Sequence, residues 1–157
     1  MNKPVLNNYR FEKKFIIPER LTPSIEEVVK SNSALMRKIF CPRFINNIYF
    51  DNSRFKFFFE NIDGVSERMK TRIRWYGNLK GRIKKPVLEF KQKHGLTGSK
   101  TSIALPSFDL KDIYHPGFLR SLFKNSNLDM RKKELMLSLT PSLINRYQRK
   151  YFLSFDH

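Results

Sequence analysis

The hydrophobic and polar positions repeat mainly with the period of a strand. Over residues 9–17 (Tyr-Arg-Phe-Glu-Lys-Lys-Phe-Ile-Ile) Phe11, Lys13, Phe15 and Ile17 share one parity, while Arg10, Glu12 and Lys14 share the other. This predicts a strand that stops at Pro18. Thr22 followed by Pro23, with Glu26 and Glu27 early and Ile25, Val28 and Val29 on one side, predicts a helix. Phe44 to Asp51 reads as the second strand, and the aromatic segment Phe55 to Phe59, running to a turn at Asp63-Gly64, reads as core.

From Ser66 to Tyr76 the alternation is strict: Arg68, Lys70, Arg72 and Arg74 interleave with Met69, Thr71, Ile73 and Trp75, so four cations share one strand face. A basic loop (78–85) leads to a strand over 87–93, in which Val87, Glu89, Lys91 and Lys93 oppose Leu88, Phe90 and Gln92. Lys100 to Leu105 completes a hairpin, with a loop expected to exceed the tight two-residue kind. Residues 107–139 read as mostly helical with a break at Pro116-Gly117, and Ser142 to Leu153 as the last strand. Six strands with helices after the first and fifth define an α+β fold around an antiparallel sheet.

Composition turns this pattern into a question about ligands. The 157 residues amount to one domain with a core, since 40% are hydrophobic and fifteen are Phe. Lys and Arg number 31 against 14 Asp and Glu, a net +17 that calls for a polyanionic partner. The lone cysteine, Cys41, makes no internal disulfide, and three scattered His build no zinc site by spacing. With no apolar run of membrane length and no signal-like start, the expected location is the cytoplasm.

Arg or Lys recurs on one parity in four strands: 10–14, 68–74, 87–93 and 145–151. One such strand would point its charges to water, but four in one sheet can pool them on a shared surface. Like charges about 4 Å apart repel by about 1 kcal/mol in water and about 4 at an effective dielectric near 20, so a crowded basic surface requires an anion. Arg forks with Lys point charges suit a chain of phosphoryl groups.

Six motifs in order carry a resemblance: Tyr9-Arg-Phe-Glu-Lys-Lys14-Phe-Ile-Ile-Pro18, Ile48-Tyr-Phe-Asp51, Arg72-Ile-Arg74-Trp-Tyr-Gly77, Leu88-Glu-Phe-Lys91, Ser99-Lys100 and Tyr147-Gln-Arg149-Lys-Tyr-Phe152. Together they resemble the VTC domain, the polyphosphate polymerase branch of the CYTH or triphosphate tunnel metalloenzyme superfamily, over residues 6–157. The resemblance implies an antiparallel β-barrel or tunnel of eight strands with a basic interior, ATP and inorganic polyphosphate as partners, and Mn2+ or Mg2+ as cofactor. It implies transfer of the γ-phosphate of ATP to a polyphosphate chain.

By the same resemblance Lys14, Arg72, Arg74, Lys91, Lys100 and Arg149 match phosphate-binding positions; strand parity adds Arg68, Lys70 and Lys93. Arg72, Arg74 and Arg149 are assigned to clamping the reacting oxygens, and the others to guiding the chain. Glu12 and Glu89 have the parity to meet a metal or, equally, to space the cations as salt-bridge partners. Where hydrolase relatives begin Glu-x-Glu-x-Lys, this chain has Arg10 in the first place, which favours the polymerase branch. Relatives also continue beyond the last strand to a metal-binding glutamate, so the domain reads as incomplete at its C-terminus. The alternatives are a catalytically inactive polyphosphate or triphosphate binder, and a nucleic-acid binder stacking bases on Tyr49, Trp75 and Tyr147; no specific nucleic acid is expected.

Overall fold

A computed structural model describes residues 13–155. Its contacts divide the chain into two units, Met1–Phe40 with Tyr151–His157, and Cys41–Lys150.

In the first unit a 3-10 turn, Glu19–Leu21, runs directly into α1, Thr22–Lys30. Thr22 is thereby helical and provides no side-chain cap. The expected strand over 9–17 is corrected for its described part: residues 13–18 have no regular structure, with Phe15 78% exposed. Alternation alone does not make a strand; a partner's backbone must satisfy its N–H and C=O groups. Elsewhere in this unit the Phe155 N–H donates to the Ala34 carbonyl at 3.1 Å, and Phe40 meets Tyr151 edge-on at 5.7 Å.

The second unit is built on a five-stranded sheet. Strand β1 (Arg37–Asp51) enters it from the first unit, followed by α2 (Lys56–Ile62), β2 (Glu67–Tyr76), β3 (Arg82–Ile83), β4 (Val87–His94), β5 (Thr97–Ala104) and β6 (Phe108–Asp109). Helices α3 (Phe118–Lys124) and α4 (Met130–Ser138) precede β7 (Thr140–Leu153). The order β5-β4-β2-β1-β7 gives an α+β fold around a five-stranded sheet with β5 and β7 at the ends of that order; β3 and β6 pair separately. The β1–β2, β2–β4 and β4–β5 pairs are antiparallel. Pro141, which lacks an N–H, sits at the start of edge strand β7, where a missing ladder donor is tolerated.

The sheet has two unlike faces. Ile48, Phe50, Ile73, Trp75, Leu88 and Phe90 form one buried cluster with Phe123 of α3 and Met136 of α4, so this face is core. Neighbours in sequence point the other way, and that second face carries the cations.

Helices occur in both expected places, α1 at Thr22–Lys30 and α3 and α4 within residues 107–139, and the structure adds one that was not expected. Helix α2 lies between β1 and β2. The Phe55–Phe59 segment expected as core is largely at the surface: Phe55, Phe58 and Phe59 are about half exposed, and only Phe57 packs against the core cluster. The Asp51 carboxylate sets this arrangement by accepting from the N–H groups of Asn52, Phe57 and Phe58. Asp51→Ala should therefore cost about 2 kcal/mol, the upper range for a helix cap, measurable by urea denaturation; an unchanged midpoint would mean these bonds contribute nothing.

The β4–β5 hairpin is tighter than expected. His94 pairs with Thr97, leaving only Gly95 and Leu96 in the loop, because Gly95 supplies the positive φ of 58° that its first position needs. Among the described residues no helix is long and apolar enough to cross a membrane; this says nothing of strands.

Candidate polyanion-binding site

Strand register brings the cations of β2, β4 and β5 into successive rows. Arg68 lies opposite Lys93; Lys70 opposite Lys91, itself opposite Lys100; and Arg72 opposite Glu89. Arg74 follows, opposite Val87. On this shared face of the three strands, seven cations (Arg68, Lys70, Arg72, Arg74, Lys91, Lys93 and Lys100) meet one carboxylate, Glu89, among the described residues. From Arg68 to Arg74 the track covers about 20 Å of strand.

Glu89 is the hub of the centre. Its side chain is fully buried, yet it meets three cations: Arg72 Nη2 at 2.7 Å, Arg74 Nη2 at 3.0 Å and Lys100 Nζ at 2.7 Å. Arg72 Nε donates a second bond to Glu89 Oε2 at 2.8 Å, completing a fork, and Arg72 Nη1 donates to the Tyr49 hydroxyl at 3.2 Å. Burial alone would push the Glu89 carboxyl up, but hydrogen bonds from Lys100 and Arg72 and the charges of Arg72 and Arg74 hold it below its usual range. For Arg72, burial opposes the charge, and hydrogen bonds to Glu89 and Tyr49 outweigh it and raise the pKa. Two of these guanidinium side chains are thus largely shielded from solvent, with 13% exposure at Arg72 and 20% at Arg74.

Beyond Arg74 the Tyr76 ring lies between two guanidinium groups, 5.1 Å from Arg43 and 5.3 Å from Arg74. Asn47, opposite Arg74, donates through its amide to Asn145 at 2.8 Å, which fixes β7 beside β1. Arg149 occupies the alternating position four residues past Asn145, about 13 Å farther along the strand. At the opposite end Arg68 Nη1 donates to the Val65 carbonyl at 2.7 Å, which also ties it to the turn after α2.

Lys14 belongs to the other unit, exposed in the 13–18 segment, and Glu12 lies outside the described residues. No group of three or more His, Cys, Asp and Glu that could hold a metal occurs among the described residues. The Glu89 carboxylate already spans three cations, so the described side chains do not fit a divalent ion resident on protein donors. Trp75, considered for base stacking, is 2% exposed in the core and is corrected to a packing residue.

Sequence reasoning found the cations but missed what arranges them: the Tyr49 hydroxyl on Arg72, the Tyr76 ring between Arg43 and Arg74, and the Asn47–Asn145 bond. The parity of Tyr49 and Tyr76 was available as a signal, but their partners lie across strands. A pocket of about 650 Å³ beside the track also went unforeseen; Tyr49, Lys70 and Asn145 line it together with Phe55, Phe58 and Phe59.

The VTC domain family model matches residues 9–157. A search of curated proteins gives no match.

Proposed function

The chain belongs to the VTC domain family, and from that premise we propose that it is a polyphosphate polymerase-like phosphotransferase acting on ATP and inorganic polyphosphate. The family is consistent with polyphosphate chemistry; one observation on this chain supports the finer reading. Among the described residues seven cations stand in cross-strand rows along about 20 Å with a single carboxylate among them. A compact anion would engage one row, whereas a linear polyphosphate offers repeating oxygens to them all.

In this reading an oxygen of the chain's terminal phosphate attacks the γ-phosphorus of ATP. A new P–O bond forms, the bond from the γ-phosphorus to the β-bridging oxygen breaks, and ADP leaves with the electron pair. Arg72 and Arg74, pre-oriented by Glu89, aim their remaining N–H groups at the transferring oxygens, where little covalent chemistry is required of the protein. Lys70, Lys91 and Lys100 hold the adjoining phosphates, Arg68 and Lys93 continue the track, and Lys14 and Arg149 remain proposed phosphate-binding residues. Closure of the sheet into a tunnel belongs to the same proposal. Mn2+ or Mg2+ would enter on the phosphate oxygens of the substrate, with Glu12 the carboxylate proposed to meet it.

Incubation with ATP and Mn2+ should yield polyphosphate on a gel, and chelation by EDTA should remove it. Equal competition by polyphosphate and by a single-stranded oligonucleotide of matched charge, at the same salt, would count against a linear-phosphate track. The saturated Glu89 favours one second reading, polyphosphate binding without turnover; tight binding with no product would establish it.

A further inference from the structure

The pocket beside the cationic track serves no step of the transfer just described. Phe55, Phe57, Phe58, Phe59, Ile62 and Leu143 supply its apolar wall. Phe58 and Phe59 are 54% and 53% exposed, with rings in edge contact at 5.4 Å. Large aromatic side chains at this exposure mark a surface that gains by being covered.

Two residues join this pocket to the track. Tyr49 lines it while its hydroxyl accepts from Arg72, and Lys70 lines it while lying opposite Lys91 in the sheet. An occupant therefore touches aromatic rings at one end and reaches the cations at the other. A second copy of this chain, also carrying +17, would bring like charge to that track. The complementary occupant is a single molecule with an aromatic head and a polyanionic tail.

We propose that the pocket takes the nucleoside end of a nucleoside triphosphate whose phosphates lie on Lys70, Lys91 and Lys100. This rests on the phosphate-binding reading of the track and adds the place and manner in which the base is held. Recognition is by ring contact, because most of the lining is aromatic or aliphatic and its polar side chains are largely tied to the protein. The Asn61 amide donates to the Phe57 and Met69 carbonyls, Asn145 accepts from Asn47, and Asp51 accepts from backbone N–H groups. Thr71 Oγ1, at the pocket wall, is buried and without a hydrogen-bond partner among the described residues. One hydroxyl, able to donate or accept, does not distinguish adenine from guanine.

The test is calorimetric titration with ATP, GTP and inorganic tripolyphosphate at fixed salt. Tripolyphosphate carries more charge than ATP, so electrostatics alone would favour it. We expect ATP to bind about tenfold more tightly, in line with the contribution of one stacked base, and GTP to match ATP within about threefold. The Phe58→Ala, Phe59→Ala double variant should lose the preference for nucleotide while keeping wild-type affinity for tripolyphosphate, which also reports that it is folded. ATP no tighter than tripolyphosphate in the wild type would overturn the pocket assignment and leave the phosphate track standing. Failure of all three to bind would overturn both. Strong discrimination between ATP and GTP would overturn the ring-contact mode, and tight binding of lysophosphatidate without ATP binding would reassign the pocket to a lipid.

Discussion

Glu89→Gln should lower the unfolding free energy by about 3 kcal/mol, since removing one partner from a buried ion cluster leaves the opposite charges uncompensated. The lower end of the range for such losses applies because Lys100 is 44% exposed and water can take up part of its charge. Gln preserves shape but turns one accepting oxygen into a donating amide, so the loss reports charge and a lost acceptor and not a cavity. The same substitution turns an internal salt bridge into an external requirement: Arg72, Arg74 and Lys100 then lose the carboxylate they share among the described residues. Tripolyphosphate should raise the melting temperature of the variant more than that of the wild type. Unchanged stability together with equal responses to tripolyphosphate would sink the idea that Glu89 organises the cluster.

The pH dependence follows from the same carboxylate. Its pKa is lower in the folded than in the unfolded chain, so its contribution is complete above the unfolded value of about 4.3 and is lost as pH falls through the folded value. Wild-type stability should therefore drop as pH falls below about 4.3, and Glu89→Gln should remove Glu89's share of that drop. Paired urea titrations across this range measure the difference.

Much of the sheet and of its charged face was legible because β2 obeys a period of two without exception from Arg68 to Trp75. Its cations and its core residues are told apart by parity alone, and register with β4 then follows from burying Leu88 and Phe90 beside Ile73 and Thr71. What was not legible depends on distant partners. Lys56-Phe-Phe-Phe-Glu-Asn-Ile has the aromatic content of a strand, yet it is a helix because Asp51 holds two of its N–H groups and Phe57 reaches the core. Residues 13–17 have the pattern of a strand but no regular structure. Glu89 illustrates both limits: parity put it on the charged face, and only the cross-strand neighbours Arg72, Arg74 and Lys100 reveal it as the hub of a cluster.

The transfer reaction proposed for this chain makes Arg72 its most sensitive position. Arg72→Ala should reduce the rate of polyphosphate formation about a thousandfold, the low end for an arginine that stabilises a transferring phosphoryl group. Arg74→Ala should fall short of that, since its guanidinium is shared between Glu89 and the Tyr76 ring and it forms one contact with the carboxylate where Arg72 forms two. The losses should not multiply in the double variant, because both side chains act through the same carboxylate and removing either frees the other to shift. Lys80 in the exposed loop after β2 supplies the control: Lys80→Ala should change the rate by no more than about threefold, with an effect that fades at high salt. Equal losses from Arg72→Ala and Lys80→Ala would show that total charge, and not the strand position, governs the reaction, and the pre-oriented clamp would have to be abandoned.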